Sequence, residues 1–215
     1  MTAHVWVSDL MGNEASIVAK TRATYGPEGR ALDVPDTREP GQPLPPGYAP
    51  VRLWDNDDTT EDQHSGYPVN IAEHVPDLFK GCGFWIISER VAEILQRFDL
   101  GEGAVYPISE GLYLRDGSTR IPGNYYSWAF AGSKSAFLPD QTPEKEPFGI
   151  SGKRWNLPSK MRDGNVAVSS SALDGADVWL DDGLFKSLFL SGPHGDALEA
   201  AGLKEALFMY RARVV

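Results

Sequence analysis

Apolar residues form two similar segments in this chain, each a short apolar run that ends at a serine and continues into a helical pattern. In the first segment, the run Phe84–Ile87 is typical of a buried strand, and the Ser88 hydroxyl is placed to cap the helix that follows. Four apolar residues then recur at the spacing of one helical face: Val91, Ile94, Leu95 and Phe98. This segment therefore predicts a strand that leads into an amphipathic helix.

The second segment, Leu188–Leu203, has the same order of elements. The run Leu188–Leu190 ends at Ser191, and Gly202 marks the end of the helical pattern. The similarity between the two segments is limited to one strand and one helix, so we do not expect a repeat architecture.

Further strands are predicted where apolar or alternating runs are bounded by turn residues. The run Asn124–Gly132 alternates, and it predicts a half-buried strand whose aromatic face (Tyr126, Trp128 and Phe130) belongs to the core. Strands outnumber helices and do not alternate with them regularly, so the predicted fold class is α+β, with a mixed, mainly antiparallel sheet and a few short helices. The other predicted strands are His4–Ser8, Tyr48–Trp54, Tyr67–Ile71, Ala104–Ile108, Gly111–Leu114, Val166–Ser170, Ala176–Leu180 and Ala206–Ala212.

The length of 215 residues fits a single domain, residues 1–215. Within it, residues 26–50 hold a dense series of prolines and glycines, and proline removes a backbone donor and fixes φ. Neither a helix nor an inner strand is compatible with that composition. We therefore expect a proline-rich N-terminal loop or arm that lies on the domain.

The overall charge limits the choice of partners. A formal net charge of −10 argues against direct nucleic-acid binding, because phosphate contacts need an excess of lysine and arginine. It is compatible with ordinary solubility and also with an acidic face that attracts a basic protein. The single cysteine, Cys82, excludes an internal disulfide framework and suits a reducing compartment. With neither a signal-peptide pattern nor a membrane-spanning apolar run, we expect a cytoplasmic protein without a membrane partner.

The usual catalytic and cofactor motifs are absent, since the sequence holds no GxSxG, no GxxxxGK and no GxGxxG. Cys82 lies between two glycines, which would leave a thiol accessible, but its place directly before an apolar run favours a structural residue. The four histidines (His4, His64, His74 and His194) do not have a zinc spacing. We expect no catalytic residue, metal or cofactor, although two carboxylates that meet only in the fold stay possible.

The sharpest charge feature is a run from Asp55 to Asp62 that holds five acids and no base. An EF-hand loop would need glycine at its sixth position and glutamate at its twelfth, but these positions hold Thr60 and Gly66. The run is therefore either a solvated turn or a surface that faces a protein partner. The partner-binding residues that it offers are Trp54, Asp55, Asp57, Asp58, Glu61 and Asp62. A second candidate surface has Asp174, Asp177, Asp181 and Asp182 around Trp179.

Several segments within residues 84–211 carry a resemblance to a known family. They are Ile86-Ile87-Ser88-Glu89 with the helical residues 91–98, Asp177-Val178-Trp179, Leu188-Phe189-Leu190-Ser191, and residues 196–203, DALEAAGL. Together they resemble immunity proteins of bacterial polymorphic toxin systems, a group long described only as a domain of unknown function. The run Gly192-Pro193-His194-Gly195 departs from the charged first helical turn that is usual in that family.

The resemblance implies a non-catalytic protein that binds and neutralises a cognate toxin domain. An acidic composition fits such a role, because charge complementarity with a basic cleft speeds association. Two other classes of function stay open: a cytoplasmic enzyme or small-ligand-binding protein that uses Cys82 or a carboxylate pair, and a structural scaffolding domain. A toxin-like domain encoded immediately upstream would favour immunity, whereas a metabolic operon would favour the enzyme.

Overall fold

The computed structural model describes residues 3–26, 43–56, 67–149 and 153–215. These residues form mainly antiparallel sheets and two α-helices, which agrees with the predicted excess of strand over helix. Most of the proline-rich segment, residues 27–42, lies outside the described residues. The helices are α1 (Glu89–Leu95) and α2 (Gly192–Ala200). The strands are β1 (Val5–Ser8), β2 (Thr21–Tyr25), β3 (Pro50–Asp55), β4 (Leu78–Gly81), β5 (Phe84–Ser88), β6 (Ala104–Pro107), β7 (Gly111–Tyr113), β8 (Arg120–Ile121), β9 (Tyr125–Ala129), β10 (Ser133–Lys134), β11 (Glu146–Phe148), β12 (Arg154–Asn156), β13 (Ala167–Val168), β14 (Val178–Asp181), β15 (Leu188–Ser191) and β16 (Met209–Val214).

Two of the sheets contain the two segments that the sequence pattern singled out. One sheet has the strand order β4-β5-β9-β6 and contains the first segment. The other has the order β10-β14-β15-β1-β16-β13 and contains the second. The remaining strands form a four-stranded sheet, β2-β3-β7-β8, and the hairpin β11-β12.

The chain contains one structural unit twice, an antiparallel hairpin followed by a helix and a third strand. The first unit is β4-β5-α1-β6, and the second is β14-β15-α2-β16. Within the hairpins, Leu78 pairs with Ile87 in the first unit and Val178 pairs with Leu190 in the second. The similarity is therefore wider than the one strand and one helix that the sequence pattern indicated, because the order of the elements and their pairing recur as well.

In each of these two sheets, the strand between the hairpin and the third strand of the unit comes from outside that unit. Strand β9 lies between β5 and β6, and its Tyr126 pairs with Ile87 and with Pro107. Strand β1 lies between β15 and β16, and its Trp6 pairs with Leu190 and with Arg211. In the sequence, β1 precedes the first unit and β9 precedes the second. The two units have therefore exchanged the strands that precede them.

The chain that follows each exchanged strand returns to the unit next in sequence. After β1, Val18 forms a parallel bridge to Lys80 in β4. After β9, Ser133 pairs in parallel with Leu180 in β14. Lys80 and Leu180 occupy equivalent places in their hairpins, so the exchange follows the same pattern in both units.

Both helices lie in a core that the two central sheets share. Phe98, just beyond α1, stacks on His194 of α2 with 4.3 Å between the ring centroids. The cluster of buried residues around them includes Trp6 from β1, Trp128 from β9 and Leu198 from α2. Two further clusters cover the outer faces of the two sheets, so each central strand is buried on both sides.

Several local predictions need correction. Strand β9 is buried on both faces rather than half-buried, because Ser127, opposite its aromatic face, is also fully buried. Ser88 does not cap α1, and its hydroxyl donates instead to Asp77 Oδ1 at 2.6 Å. Ser191 does cap α2, since its Oγ accepts a hydrogen bond from the His194 N–H at 3.4 Å. Residues 67–71 form a single bridge at Val69 and no strand.

Candidate partner-binding site

The acidic run that was predicted to bind a partner divides into buried residues and residues outside the described part of the chain. Trp54 is half-buried in β3, and Asp55 at the end of that strand is only 5% exposed. Asp55 is therefore not the exposed rim charge that was expected, because its strand lies between β2 and β7. Asp57, Asp58, Glu61 and Asp62 fall outside the described residues, and their role stays a prediction.

The second predicted surface is also only partly a surface. Trp179 is 1% exposed and belongs to the core, so its ring is not available to a partner. Asp181 is 1% exposed, and its carboxylate accepts N–H bonds from Ala136, Phe137 and Gly183 at 2.8, 2.9 and 2.8 Å. Burial raises the pKa of Asp181 although these bonds oppose the shift. Asp181 therefore anchors a neighbouring loop and does not face a partner.

Asp177 lines a cavity at the first turn of α2, and Asp174 follows Leu173 of the same cavity in the chain. Asp182 lies apart from it, just after β14, and accepts a hydrogen bond from Ser135 Oγ at 2.8 Å. The cavity has a volume of about 350 Å³. Leu173 and Pro193 are among its apolar walls, while Asp177 and Asp196 bring negative charge to it and His4 lies beside Asp196. Leu173 is 45% exposed, although it is a large apolar residue. The cavity therefore combines an apolar wall with acidic groups.

Asp196 is the best-positioned carboxylate of this cavity. Its Oδ1 accepts a hydrogen bond from Trp6 Nε1 at 3.0 Å and lies 2.9 Å from His4 Nε2. Burial alone would raise the pKa of Asp196, but the bonds from His4 and Trp6 outweigh it and hold the pKa below its ordinary value. The side chain is therefore ionised at neutral pH.

Close packing against β1 explains why two residues near the start of α2, Gly192 and Gly195, are glycines. A Cβ on Gly192 would lie 2.6 Å from the carbonyl oxygen of His4, and one on Gly195 would lie 2.0 Å from Cδ1 of Trp6. The helix thus lies directly against β1, and only glycine fits at these two places. In the sequence, this place is marked by the Gly-Pro-His-Gly run, which departs from the charged first helical turn of the family that the chain resembles.

A second cavity of about 420 Å³ lies on the other side of residues 173–177, which we call the 173–177 ridge. Its floor holds Trp179, and Lys134 Nζ lies 3.7 Å from the centroid of that ring. The ammonium group donates to the Ala176 carbonyl at 3.0 Å. Burial lowers the pKa of Lys134, and the nearby carboxylates of Asp177, Asp174 and Asp99 oppose that shift. Lys134 is therefore an internal tie of the ridge.

Two sets of residues resemble catalytic groups, one in this cavity and one at Cys82, but their side chains bond within the protein. Ser191, His4 and Asp196 line one cavity, yet Ser191 Oγ is the helix cap and His4 is turned toward Asp196. Cys82 lies in the turn between β4 and β5, where its Sγ donates to the Thr21 carbonyl at 3.0 Å. Burial raises the pKa of the Cys82 thiol, so the unreactive protonated form is favoured.

The histidines do not form a metal site in the described part of the chain, where no group of three or more potential ligands comes together. His194 is fully buried against Phe98, and burial lowers its pKa to about 4. His74 is exposed on a loop, and His64 lies outside the described residues.

No helix among the described residues is long and apolar enough to cross a membrane. No model of a known protein family matches this sequence, and the search of curated proteins also finds no match.

Proposed function

We propose that this chain is a non-catalytic immunity protein that binds and neutralises a basic cognate toxin domain. The observation that supports this most directly is Leu173, an exposed apolar side chain on a ridge between two cavities. Asp174 follows it in the chain, and Asp177 and Asp196 line the cavity beside it. An apolar anchor with a charged rim is a common composition for a binding hot spot.

The charge of this surface favours a basic partner. Five carboxylates lie on the ridge or beside its two cavities: Asp99, Glu102, Asp174, Asp177 and Asp196. Lys134, the lysine of the second cavity, is tied to backbone carbonyls, and His4 faces Asp196. The remaining negative charge attracts a basic surface over a Debye length of about 8 Å at physiological salt and so raises the association rate.

A small-ligand-binding protein is the second candidate, because both cavities have volumes within the range of small-molecule sites. A cysteine enzyme is less well supported, since the pKa of the Cys82 thiol is raised and the thiol donates a hydrogen bond to the Thr21 carbonyl. In an activated nucleophile the pKa would be lowered by a cation or a base.

If a toxin-like domain is encoded immediately upstream of the gene, co-expression with that domain tests the proposal. Leu173→Ser should abolish protection of the cells, because it removes the apolar anchor. Tyr67→Ser is the matched control, since Tyr67 is 44% exposed and lines a different cavity. Full protection by Leu173→Ser would contradict a binding role for the ridge. A metabolite that raises the melting temperature of the protein, without any protection from the toxin, would favour the small-ligand function.

A further inference from the structure

The two repeated units allow the first helical turns of α1 and α2 to be compared position by position. The Ser88 N–H bonds to the Asp77 carbonyl at 3.0 Å, and the Ser191 N–H bonds to the Asp177 carbonyl at 2.9 Å. Asp77 and Asp177 are therefore equivalent, and so are the two serines. Each helix begins directly after its serine, so the next residues are equivalent as well.

In the first unit, side chains fill the space around this turn. The guanidinium of Arg90 pairs with the Asp77 carboxylate and also donates to the Ala201 carbonyl at 3.0 Å. Glu89 accepts a hydrogen bond from Asn124 Nδ2 at 2.8 Å. Arg90 thus neutralises the Asp77 carboxylate of this unit from within the same chain.

In the second unit, the same space lacks both side chains. Gly192 stands where the first unit has Glu89, and Pro193 stands where it has Arg90. Asp177 keeps the place of Asp77 but has no arginine after its serine, and its Oδ2 accepts a hydrogen bond from the Asp99 N–H at 2.9 Å. The cavity of about 350 Å³ lies here, lined by Asp177, Gly192 and Pro193.

We infer that this cavity receives an arginine side chain from the protein partner, in the place that Arg90 fills in the first unit. This inference rests on the proposed function and names the chemistry of its contact. The guanidinium would approach Asp177 as Arg90 approaches Asp77, with Asp196 as a second acidic wall. The methylene stem would lie along Leu173 and Pro193.

Arginine fits this site better than lysine for two reasons. Its planar fork can bond to two carboxylates or to one in a bidentate manner, and it is less strongly hydrated than an ammonium group. The positive end of the helix dipole disfavours any cation at this turn. Arg90 at the equivalent turn of α1 nevertheless pairs with Asp77, so the carboxylate offsets the dipole.

The test uses the isotope-labelled full chain and N-acetyl-arginine amide as the probe. The probe should shift the amide resonances of Asp177, Ser191 and Asp196. N-acetyl-lysine amide is the matched control because it carries the same net charge, and it should bind about tenfold more weakly, since it makes fewer charge-assisted bonds. Equal shifts from the two amides, or no shift from the arginine amide, would overturn the inference.

Two variants add a long side chain at position 193, and only one of them carries the charge that would hold it in the cavity beside Asp177. Pro193→Arg places an arginine at the position equivalent to Arg90, and it should abolish both the probe shifts and protection from the toxin. Pro193→Gln adds a long side chain without charge, and it should retain both. Thermal unfolding verifies that each variant is folded. Probe shifts that persist in Pro193→Arg would also overturn the inference.

The results separate this inference from the proposed function. If the arginine amide binds as described but Leu173→Ser still protects cells, the proposed function fails and the arginine site stands. If Leu173→Ser loses protection while the arginine amide shifts no resonance, the arginine site fails and the proposed function stands.

Discussion

Gly195 is the position at which one added methyl group should destabilise the fold most clearly. A Cβ there would lie 2.0 Å from Cδ1, 2.3 Å from Cγ and 2.6 Å from Nε1 of Trp6. The indole is fully buried and is held by its hydrogen bond to Asp196. Lys204 and Arg211 lie over the ring, 5.1 and 4.8 Å from its centroid. The ring therefore cannot move away without the loss of these contacts.

The expected magnitude of Gly195→Ala follows from two opposing effects. Alanine is favoured over glycine in a helix interior by about 1 kcal/mol. Overpacking of a close-packed core costs about 1–3 kcal/mol, and three overlaps with one rigid ring place this substitution at the upper end. We expect the free energy of unfolding to fall by about 2 kcal/mol, which corresponds to a melting temperature lower by roughly 4–8 °C.

Thermal and urea unfolding, followed by tryptophan fluorescence and circular dichroism, would measure this change. Ala92→Gly is the matched control, because Ala92 occupies the equivalent position of α1. It should cost about 1 kcal/mol from helix propensity alone, with no effect on the environment of Trp6. If Gly195→Ala is as stable as the wild type or more stable, the reasoning from the close contact between α2 and β1 is refuted.

Three further predictions concern protonation, thiol reactivity and association. The pKa of His194 is lowered to about 4 from 6.5, so the fold favours the neutral ring, and stability should be lost as the pH falls from about 6.5 toward 4, by on the order of 3 kcal/mol. His194→Val, which places the residue of the equivalent α1 position there, should flatten this pH dependence in urea titrations, and an unchanged slope would contradict the assignment. Cys82 should react slowly with a thiol probe in the native protein, and Cys82→Ser should keep the fold, whereas rapid labelling would mean that the thiol is activated. Joint neutralisation of the ridge acids should slow association with the toxin and reduce its salt dependence, and an unchanged association rate would place the interface elsewhere, with the predicted acidic run as the next surface to neutralise. The ridge experiment neutralises Asp174 on the ridge together with Asp99 and Glu102 beside it, and the experiment on the run neutralises Asp57, Asp58, Glu61 and Asp62.

The local elements of the fold follow from the sequence because short-range patterns decide them. The apolar run before Ser88 forms β5, and the periodic residues after it form α1. Gly202 ends the second helical pattern as predicted, with a φ of +76° that suits glycine. The excess of strands over helices and the mainly antiparallel pairing were also predictable from the order of these runs.

The partners of these elements were decided by the tertiary structure. Trp6 in β1 pairs with Leu190 and Arg211, close to the other end of the chain, and no local pattern specifies a pairing over that separation. The Ser88 hydroxyl was predicted to cap α1 but bonds to Asp77, which the hairpin brings beside it. Asp55 was predicted to be exposed, but the neighbouring strands of its sheet bury it.

The candidate site shows the same division. The sequence indicated an acidic surface near Trp179 and an unusual Gly-Pro-His-Gly turn, yet it gave no sign that the two belong together. Only the fold brings Asp177, Asp196 and His4 to one cavity, because β1 crosses to the second unit and carries His4 with it. The charge of a residue is a property of the sequence, whereas its exposure and its neighbours depend on which distant strands pack beside it.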